Sequence, residues 1–386
     1  MGSSAEAGAP ASASSFDYKA ILQQMVQRSA SDLHVKVGRP PTLRINGDLV
    51  PMELPAIRLE DVRHIAEQTM TARHMKEFAD VKECDYALGV QGVGRFRVNA
   101  YQQRGTIAYA FRVVPFQART IAELNLPPIT EKIAMAPRGL VLVTGITGSG
   151  KSTALAAMIQ HINLNRFANV ITIEDPIEFL HRDINSHINQ REVGNDTTTF
   201  AQALRRVLRQ DPDVILVGEI RDLETLDTAL QAADTGHLVF STLHTTDATQ
   251  TINRILSFYP PNQGAEVRFM LSSALQAIVS LRLVPRKDGA GRVPAAEVLI
   301  NTQAVRDNIR DVEKSLNIPD LIREGTVHYG MQSFDQSLMY WYTNGVITYE
   351  AALGAATSPS EFALRVQGVA GASDTHWDAF TAAGAQ

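Results

Sequence analysis

The stretch Leu140-Val141-Leu142-Val143-Thr144-Gly145-Ile146-Thr147-Gly148-Ser149-Gly150-Lys151-Ser152-Thr153 decides how this chain folds. An unbroken apolar run of strand length leads into a glycine-rich turn, and Ala154-Leu155-Ala156-Ala157-Met158-Ile159 continues beyond it as a helix. Four residues separate Gly145 from Gly150-Lys151-Ser152, the spacing of a phosphate-binding loop. A strand, a turn and a helix start in that order aim several backbone N–H groups and the positive end of a helix dipole at one anion. Gly145, Thr147, Gly148, Ser149, Gly150 and Thr153 are the expected phosphate cradle. Lys151 would neutralise the terminal phosphates and the Ser152 hydroxyl would ligate Mg²⁺.

At 386 residues the chain exceeds the roughly 250 to 300 at which one core stops growing, so two or more domains are expected. Its 36 Lys and Arg against 41 Asp and Glu give a net charge of −5, which offers no overall positive field to a nucleic acid. The single cysteine, Cys84, excludes an intramolecular disulfide and a cysteine-rich zinc site, and fits a reducing compartment. No apolar run reaches the length of a membrane span, and the start lacks the basic-then-apolar order of a signal peptide, so the chain reads as cytoplasmic. Residues 1–15, nearly all Ala, Ser and Gly, are expected to form a disordered leader, and 371–386 a flexible tail.

Residues 16–115 read as a small α+β domain. Ile21, Leu22, Met25 and Val26 recur at helical spacing, and short alternating strands at 33–37, 42–45 and 49–50 are divided by the hairpin signal Asn46-Gly47-Asp48. A helix over 59–78 and strands at 85–88, 94–102 and 106–114 complete a sheet with helices on one face. Prolines 115, 127, 128 and 137 mark 116–137 as a linker. Across 138–300 apolar strands alternate with helices, the pattern of a parallel sheet covered on both faces. Helical spacing, broken at Pro319, Gly325, Gly330 and Gly345, predicts a helical region over 301–370.

Three further segments carry candidate chemistry. Asn169-Val170-Ile171-Thr172-Ile173 ends in Glu174-Asp175-Pro176-Ile177-Glu178, which puts carboxylates just outside a strand's C-terminal end, where ligands of open α/β sheets bind. Val214-Ile215-Leu216-Val217-Gly218-Glu219 is a buried-type strand whose terminal acid, Glu219, is placed to hold Mg²⁺ or orient a water. His237 and His244 flank another apolar strand, and their odd separation argues against a metal pair.

Taken in order, the phosphate loop, the acidic box, the strand ending in Glu219 and the two histidines resemble the secretion and pilus superfamily of hexameric ATPases. The resemblance is nearest to the type IV pilus retraction motors of the PilT and PilU type. Leu208-Arg209-Gln210-Asp211-Pro212-Asp213 and Gly330-Met331-Gln332-Ser333-Phe334-Asp335-Gln336 look like that family as well. It implies a RecA-like P-loop ATPase core with a PAS-like N-terminal domain, using ATP and Mg²⁺. It also implies Glu178 as general base, with Glu174 and Glu219 as the other acids that could take that part, Glu219 as the Walker B glutamate, His237 and His244 as a histidine-box pair at the catalytic site, and Arg97 and Arg112 reaching a neighbouring subunit's phosphates.

The implied partners are five further copies in a hexameric ring, an inner-membrane pilus platform protein and a paralogous retraction ATPase, with no nucleic acid. Extension and secretion motors carry a four-cysteine zinc site and a further N-terminal domain, against which one cysteine and a short N-terminus argue. Ala304-Val305-Arg306-Asp307-Asn308-Ile309-Arg310-Asp311-Val312 resembles the retraction-motor helix motif AIRNLIREG, departing from it at Asn308 and Val312. Downstream, Ile318-Pro319-Asp320-Leu321-Ile322-Arg323-Glu324-Gly325 is similar to the same motif, with a proline and an offset that set it apart.

Overall fold

Side-chain alternation along six strands builds the sheet of the first unit. The computed structural model describes residues 16–115 and 118–368, so the expected leader and tail lie outside the described residues. The chain separates into two units, Met1–Phe116 and Gln117–Gln386. In the first, α1 (Tyr18–Gln27) starts at Asp17, whose carboxylate accepts the Lys19 and Ala20 amides. Strands β1 (Asp32–Lys36), β2 (Thr42–Ile45) and β3 (Asp48–Pro51) precede α2 (Leu59–Thr69) and α3 (Ala72–Val81). Strands β4 (Glu83–Val90), β5 (Gly94–Gln103) and β6 (Thr106–Val114) follow.

The sheet runs β3-β2-β1-β6-β5-β4, with antiparallel neighbours throughout. Leu33, Val35, Phe96, Val98 and Phe111 share one face and pack with Leu22 of α1 and Ile65 of α2. Cys84 belongs to this core, where burial above all pushes its thiol up to about 11. The single helix expected over 59–78 is two: Met70 is extended, and Thr71 Oγ1 accepts the His74 amide to start α3 afresh.

The second unit opens with α4 (Ile129–Ala134), β7 (Gly139–Thr144), α5 (Lys151–Asn165), β8 (Asn169–Glu174), β9 (His187–Glu192) and α6 (Phe200–Val207). It continues through β10 (Val214–Val217), α7 (Leu223–Asp234), β11 (Leu238–Leu243), α8 (Ala248–Ser257), α9 (Gly264–Ala274), β12 (Leu275–Pro285) and β13 (Arg292–Ile300). The strand order is β13-β12-β7-β11-β10-β8-β9, parallel except for β13. Successive residues of the central strands enter two different cores: Leu140, Leu142, Ile171 and Ile173 meet α6 to α9, whereas Val141, Val143 and Val170 meet α5. Burial on both faces is why these strands are apolar without alternation.

Residues 118–137 are not an open linker. Ile121, Leu126, Ile133 and Ala136 are buried in the α5-side core, and the prolines sit where a helix start tolerates them, Pro127 and Pro128 accepting the Thr130 and Glu131 amides. The helical region holds α10 (Gln303–Arg310), α11 (Ile318–Glu324), α12 (Thr326–Tyr329), α13 (Phe334–Thr343), α14 (Tyr349–Ala355) and α15 (Pro359–Val366). Val305 and Ile309 of α10 join the core shared with α6 to α9, while Phe334, Leu338 and Phe362 form a smaller one with Val284 and Val293. Among the described residues no helix is long and apolar enough to cross a membrane.

Candidate active site

Between β7 and α5 the chain can turn only because residue 145 is glycine. Gly145 has a φ of +143°, and a Cβ there would lie 2.6 Å from the Leu281 carbonyl oxygen and closer still to Ser149 Oγ. Lys151 opens α5, is 9% exposed, and donates from Nζ to the Gly145 and Ile146 carbonyls at 2.8 and 3.1 Å. Burial lowers its pKa and the nearby Glu219 carboxylate works against that shift. The α5 N-terminus has no side-chain cap, so its first amides are free for an anion. Ser149 Oγ is buried without a hydrogen-bond partner. Ser152 is exposed at the same helix start. A cavity of about 550 Å³ opens beside the loop, lined by Ser149, Thr153, Leu281, Leu283, Arg119 and Arg286.

Because β7, β11, β10 and β8 are parallel neighbours, their C-terminal ends share one edge of the sheet. At the end of β10, Gly218 lets two chains touch: its amide donates to the Ile173 carbonyl at 2.8 Å, and a Cβ would sit 3.2 Å from that oxygen. Glu219 follows, gripped on both oxygens. Arg221 donates to Oε2 from Nε at 2.9 Å, and His244 Nε2 lies 3.2 Å from Oε1. Thr242 Oγ1 of β11 donates to the Gly218 carbonyl at 2.8 Å, which locks the two strand ends together.

Glu174 and Glu178 differ sharply in environment. Glu174 Oε1 accepts from Thr172 Oγ1 at 2.6 Å and Gln190 Nε2 at 3.1 Å, and its Oε2 accepts the Glu178 amide at 3.4 Å. Burial is the main influence on Glu174 and raises its carboxyl above the ordinary range in spite of those hydrogen bonds. Glu178 is exposed, and its carboxylate has no partner among the described residues. Glu174 is thus built as an anchor for the acidic turn, and the Glu178 carboxylate is left exposed.

The structure brings the phosphate loop, Glu174, Glu178, Glu219 and His244 to one edge, but not His237. A residue preceding a parallel strand sits at its opposite end, roughly 23 Å from one seven residues later. There His237 Nδ1 lies 3.0 Å from the Ala232 carbonyl in the last turn of α7. Arg97 and Arg112 belong to the first unit, where they stand directly opposite each other on β5 and β6, both exposed. Sequence reasoning missed Thr172, Gln190 and Arg221. Arg221 could have been found two residues beyond Glu219; Gln190 could not, because its reach to Glu174 depends on the β8–β9 pairing.

Loop and carboxylates fit a Mg²⁺-bound nucleoside triphosphate: the orphaned Ser149 hydroxyl, the uncapped helix start and Lys151 all offer positive or donor groups to phosphate. Among the described residues no three His, Cys, Asp or Glu side chains converge on a metal position. A Mg²⁺ ion would therefore rely on Ser152, phosphate oxygens and water, the usual way this ion is held in such sites.

The family described as type II/IV secretion system protein matches residues 107–329. The chain is 44% identical over 346 residues to the type IV pilus retraction ATPase PilT of Pseudomonas aeruginosa, covering 90% of this chain and all of that protein. It is 42% identical over 351 residues to the type IV pilus ATPase PilU of the same organism, covering 91% of each. The crystal structure of the pilus retraction motor PilT with bound ADP superposes with a TM-score of 0.82, at 44% identity over 90% of this chain and 98% of that one. The chain belongs to the type II/IV secretion ATPase family, in its PilT and PilU pilus-retraction branch, and is an ATP hydrolase.

Proposed function

We propose that this chain is a Mg²⁺-dependent ATPase which assembles into a homohexameric ring and withdraws a type IV pilus at an inner-membrane platform on the cytoplasmic side. The observation carrying this reading is the convergence of Lys151, Glu178, Glu219 and His244 at one edge of a sheet whose whole chain is similar to retraction motors. Residues 16–115 serve as the N-terminal domain, 138–300 as the ATPase core and 301–368 as the helical region.

Each residue of the site has a task in phosphoryl transfer to water. Lys151 leaves its loop carbonyls for the terminal phosphates and offsets the charge that develops there. Ser149, Gly148 and the first amides of α5 fix the phosphate chain, and Ser152 supplies a hydroxyl to the ion. Bound there, Mg²⁺ supplies further charge neutralisation. Glu178 takes the proton of the attacking water, while Glu219, held from both sides by Arg221 and His244, would help to hold the ion through water. Arg97 and Arg112 act on the nucleotide of a neighbouring subunit, so an isolated copy turns over slowly.

Deleting the gene in its host and scoring surface pili and surface motility tests the reading. Excess fibres with no motility are expected; normal fibres with normal motility would refute it. The near-equal identities to PilT and PilU, 44% and 42%, favour keeping an accessory role beside the primary one. A mild motility defect with normal fibre numbers would select it.

A further inference from the structure

The sheet face of the first unit turned away from α1 and α2 carries a rung of charge set by strand register. Arg44 on β2 stands opposite Asp32 on β1, Asp32 opposite Arg112 on β6, and Arg112 opposite Arg97 on β5. Two arginines facing each other across an antiparallel pair repel. The one anion of the rung, Asp32, lies on the far side of Arg112 and draws it away from Arg97. Asp32 Oδ1 accepts Arg112 Nε at 2.8 Å, and its Oδ2 accepts Ser31 Oγ at 2.8 Å. Its side chain is 12% exposed against 69% for Arg112, so the carboxylate is the fixed member and the guanidinium the presented one. Burial works to raise the Asp32 carboxyl, but hydrogen bonds from Ser31 and Arg112 outweigh it and keep the group charged.

The use of Nε matters. A carboxylate that took both terminal nitrogens would consume the fork with which arginine recognises phosphate. Here the terminal nitrogens have no partner among the described residues, while rotation of the guanidinium is checked at Nε. The geometry points to Asp32, braced by Ser31, as a positioning residue that presents the terminal nitrogens of Arg112 to the phosphates of a nucleotide held by a neighbouring copy of this chain. The inference rests on the reading that Arg112 acts between subunits.

The test is a double-mutant cycle in the full-length assembled protein, reading kcat and KM for ATP, nucleotide binding and ring size. Asp32→Ala is expected to lower kcat by about tenfold to a hundredfold, the scale of an ångström-level misplacement, with KM within about twofold because no ground-state contact is lost. Asp32→Asn, which retains an acceptor for Nε, is expected to recover most of the rate. In an Arg112→Ala background, adding Asp32→Ala should change nothing further.

If Arg112→Ala alone turns over at the wild-type rate in an intact ring, the trans reading fails and this inference with it. If Arg112→Ala abolishes turnover while Asp32→Ala does not, the inference alone fails. An equal rate loss from Asp32→Ala with and without Arg112 would make Asp32 a brace of the fold, also overturning it. Should Asp32→Ala not fold, Asp32→Leu, which removes the acceptor for Nε and keeps the volume, replaces it in both backgrounds, with the same outcomes.

Discussion

Replacing Glu297 by Gln should stabilise the second unit at pH 8 and leave it unchanged near pH 4.5. Glu297 on β13 faces Ser280 on β12, which faces Thr144 on β7, a polar row at the sheet edge that carries the phosphate loop. Its Oε1 accepts the Ala248 amide at the start of α8 at 2.8 Å. Arg282 is nearby but directs NH1 to the Ala355 carbonyl and Thr357 Oγ1, and lies 3.7 Å over the Phe334 ring. Burial therefore dominates: the carboxyl rises to about 7, with the Ala248 amide opposing the rise, Asp247 adding to it, Arg282 opposing it and Asp335 adding to it.

The unfolded chain releases this proton near 4.5, so between about pH 4.5 and 7 the native state holds a proton that the unfolded state has lost. Stability conferred by the group falls as pH rises through that window and is level above it. At about 1.4 kcal/mol per pH unit the gap amounts to about 3 kcal/mol. Glutamine keeps an acceptor for Ala248 and cannot titrate. Urea unfolding of both proteins at half-unit intervals from pH 4.5 to 8.5, followed by tryptophan fluorescence, should show a difference opening from near zero to about 3 kcal/mol. For a unit of this size that corresponds to roughly 6 to 12 °C in Tm. Trp341, whose Nε1 donates to the Pro294 carbonyl of β13 at 2.8 Å, reports on the relevant strand. A difference independent of pH, or a variant less stable at pH 8, would refute the reasoning.

Three other substitutions probe the site. Gly145→Ala drives a methyl into the Leu281 carbonyl at a φ no alanine favours, so equilibrium titration with a fluorescent ATP analogue should show at least a tenfold loss of affinity. Glu178→Gln should retain nucleotide affinity and lose at least about a hundredfold in phosphate release; a wild-type rate would move the base to another acid. His244→Ala, by freeing one oxygen of Glu219, should lower kcat about tenfold, whereas His237→Ala should leave nucleotide affinity unchanged. An equal fall in kcat from the two substitutions would contradict the placement of the histidines at opposite strand ends.

The central strands were legible because burial on both faces leaves no polar residue to interrupt them, and the phosphate loop because its glycines answer steric demands that sequence alone reveals. Strand β9 was not. His187-Ile188-Asn189-Gln190-Arg191-Glu192 lies at the sheet edge and is held partly by polar contacts such as Asn189 Nδ2 to Asn169 Oδ1, so no apolar signal marks it. The break at Met70 was hidden because Met70 is four residues from Ala66 and buried like it, which continues a helical rhythm across an extended residue. Proline density misled the reading of 116–137: prolines at the first turn of α4 are compatible with a folded segment, and the buried Ile121 and Ile133 give it a reason to fold.

The Arg97–Arg112 opposition, by contrast, could have been derived. Arg104-Gly105 is a two-residue hairpin turn with φ of 46° and 79°, and such a turn pairs Gln103 with Thr106. Counting back along both strands puts Arg97 against Arg112. The active-site edge makes sense of that costly pairing. Glu174, Asp175, Glu178 and Glu219 gather where a polyanionic nucleotide must sit, and the one arginine among them, Arg221, is committed to Glu219. Beside Lys151, a bound Mg²⁺ and the Arg119 and Arg286 side chains of the adjoining cavity, positive charge from outside this unit would further offset a triphosphate among four acids. Two arginines on an exposed sheet face, one of them aimed by Asp32, are suited to supply that charge from a neighbouring copy. If Arg97 and Arg112 act in that way, raising salt should depress the turnover of the ring more steeply than it weakens nucleotide binding.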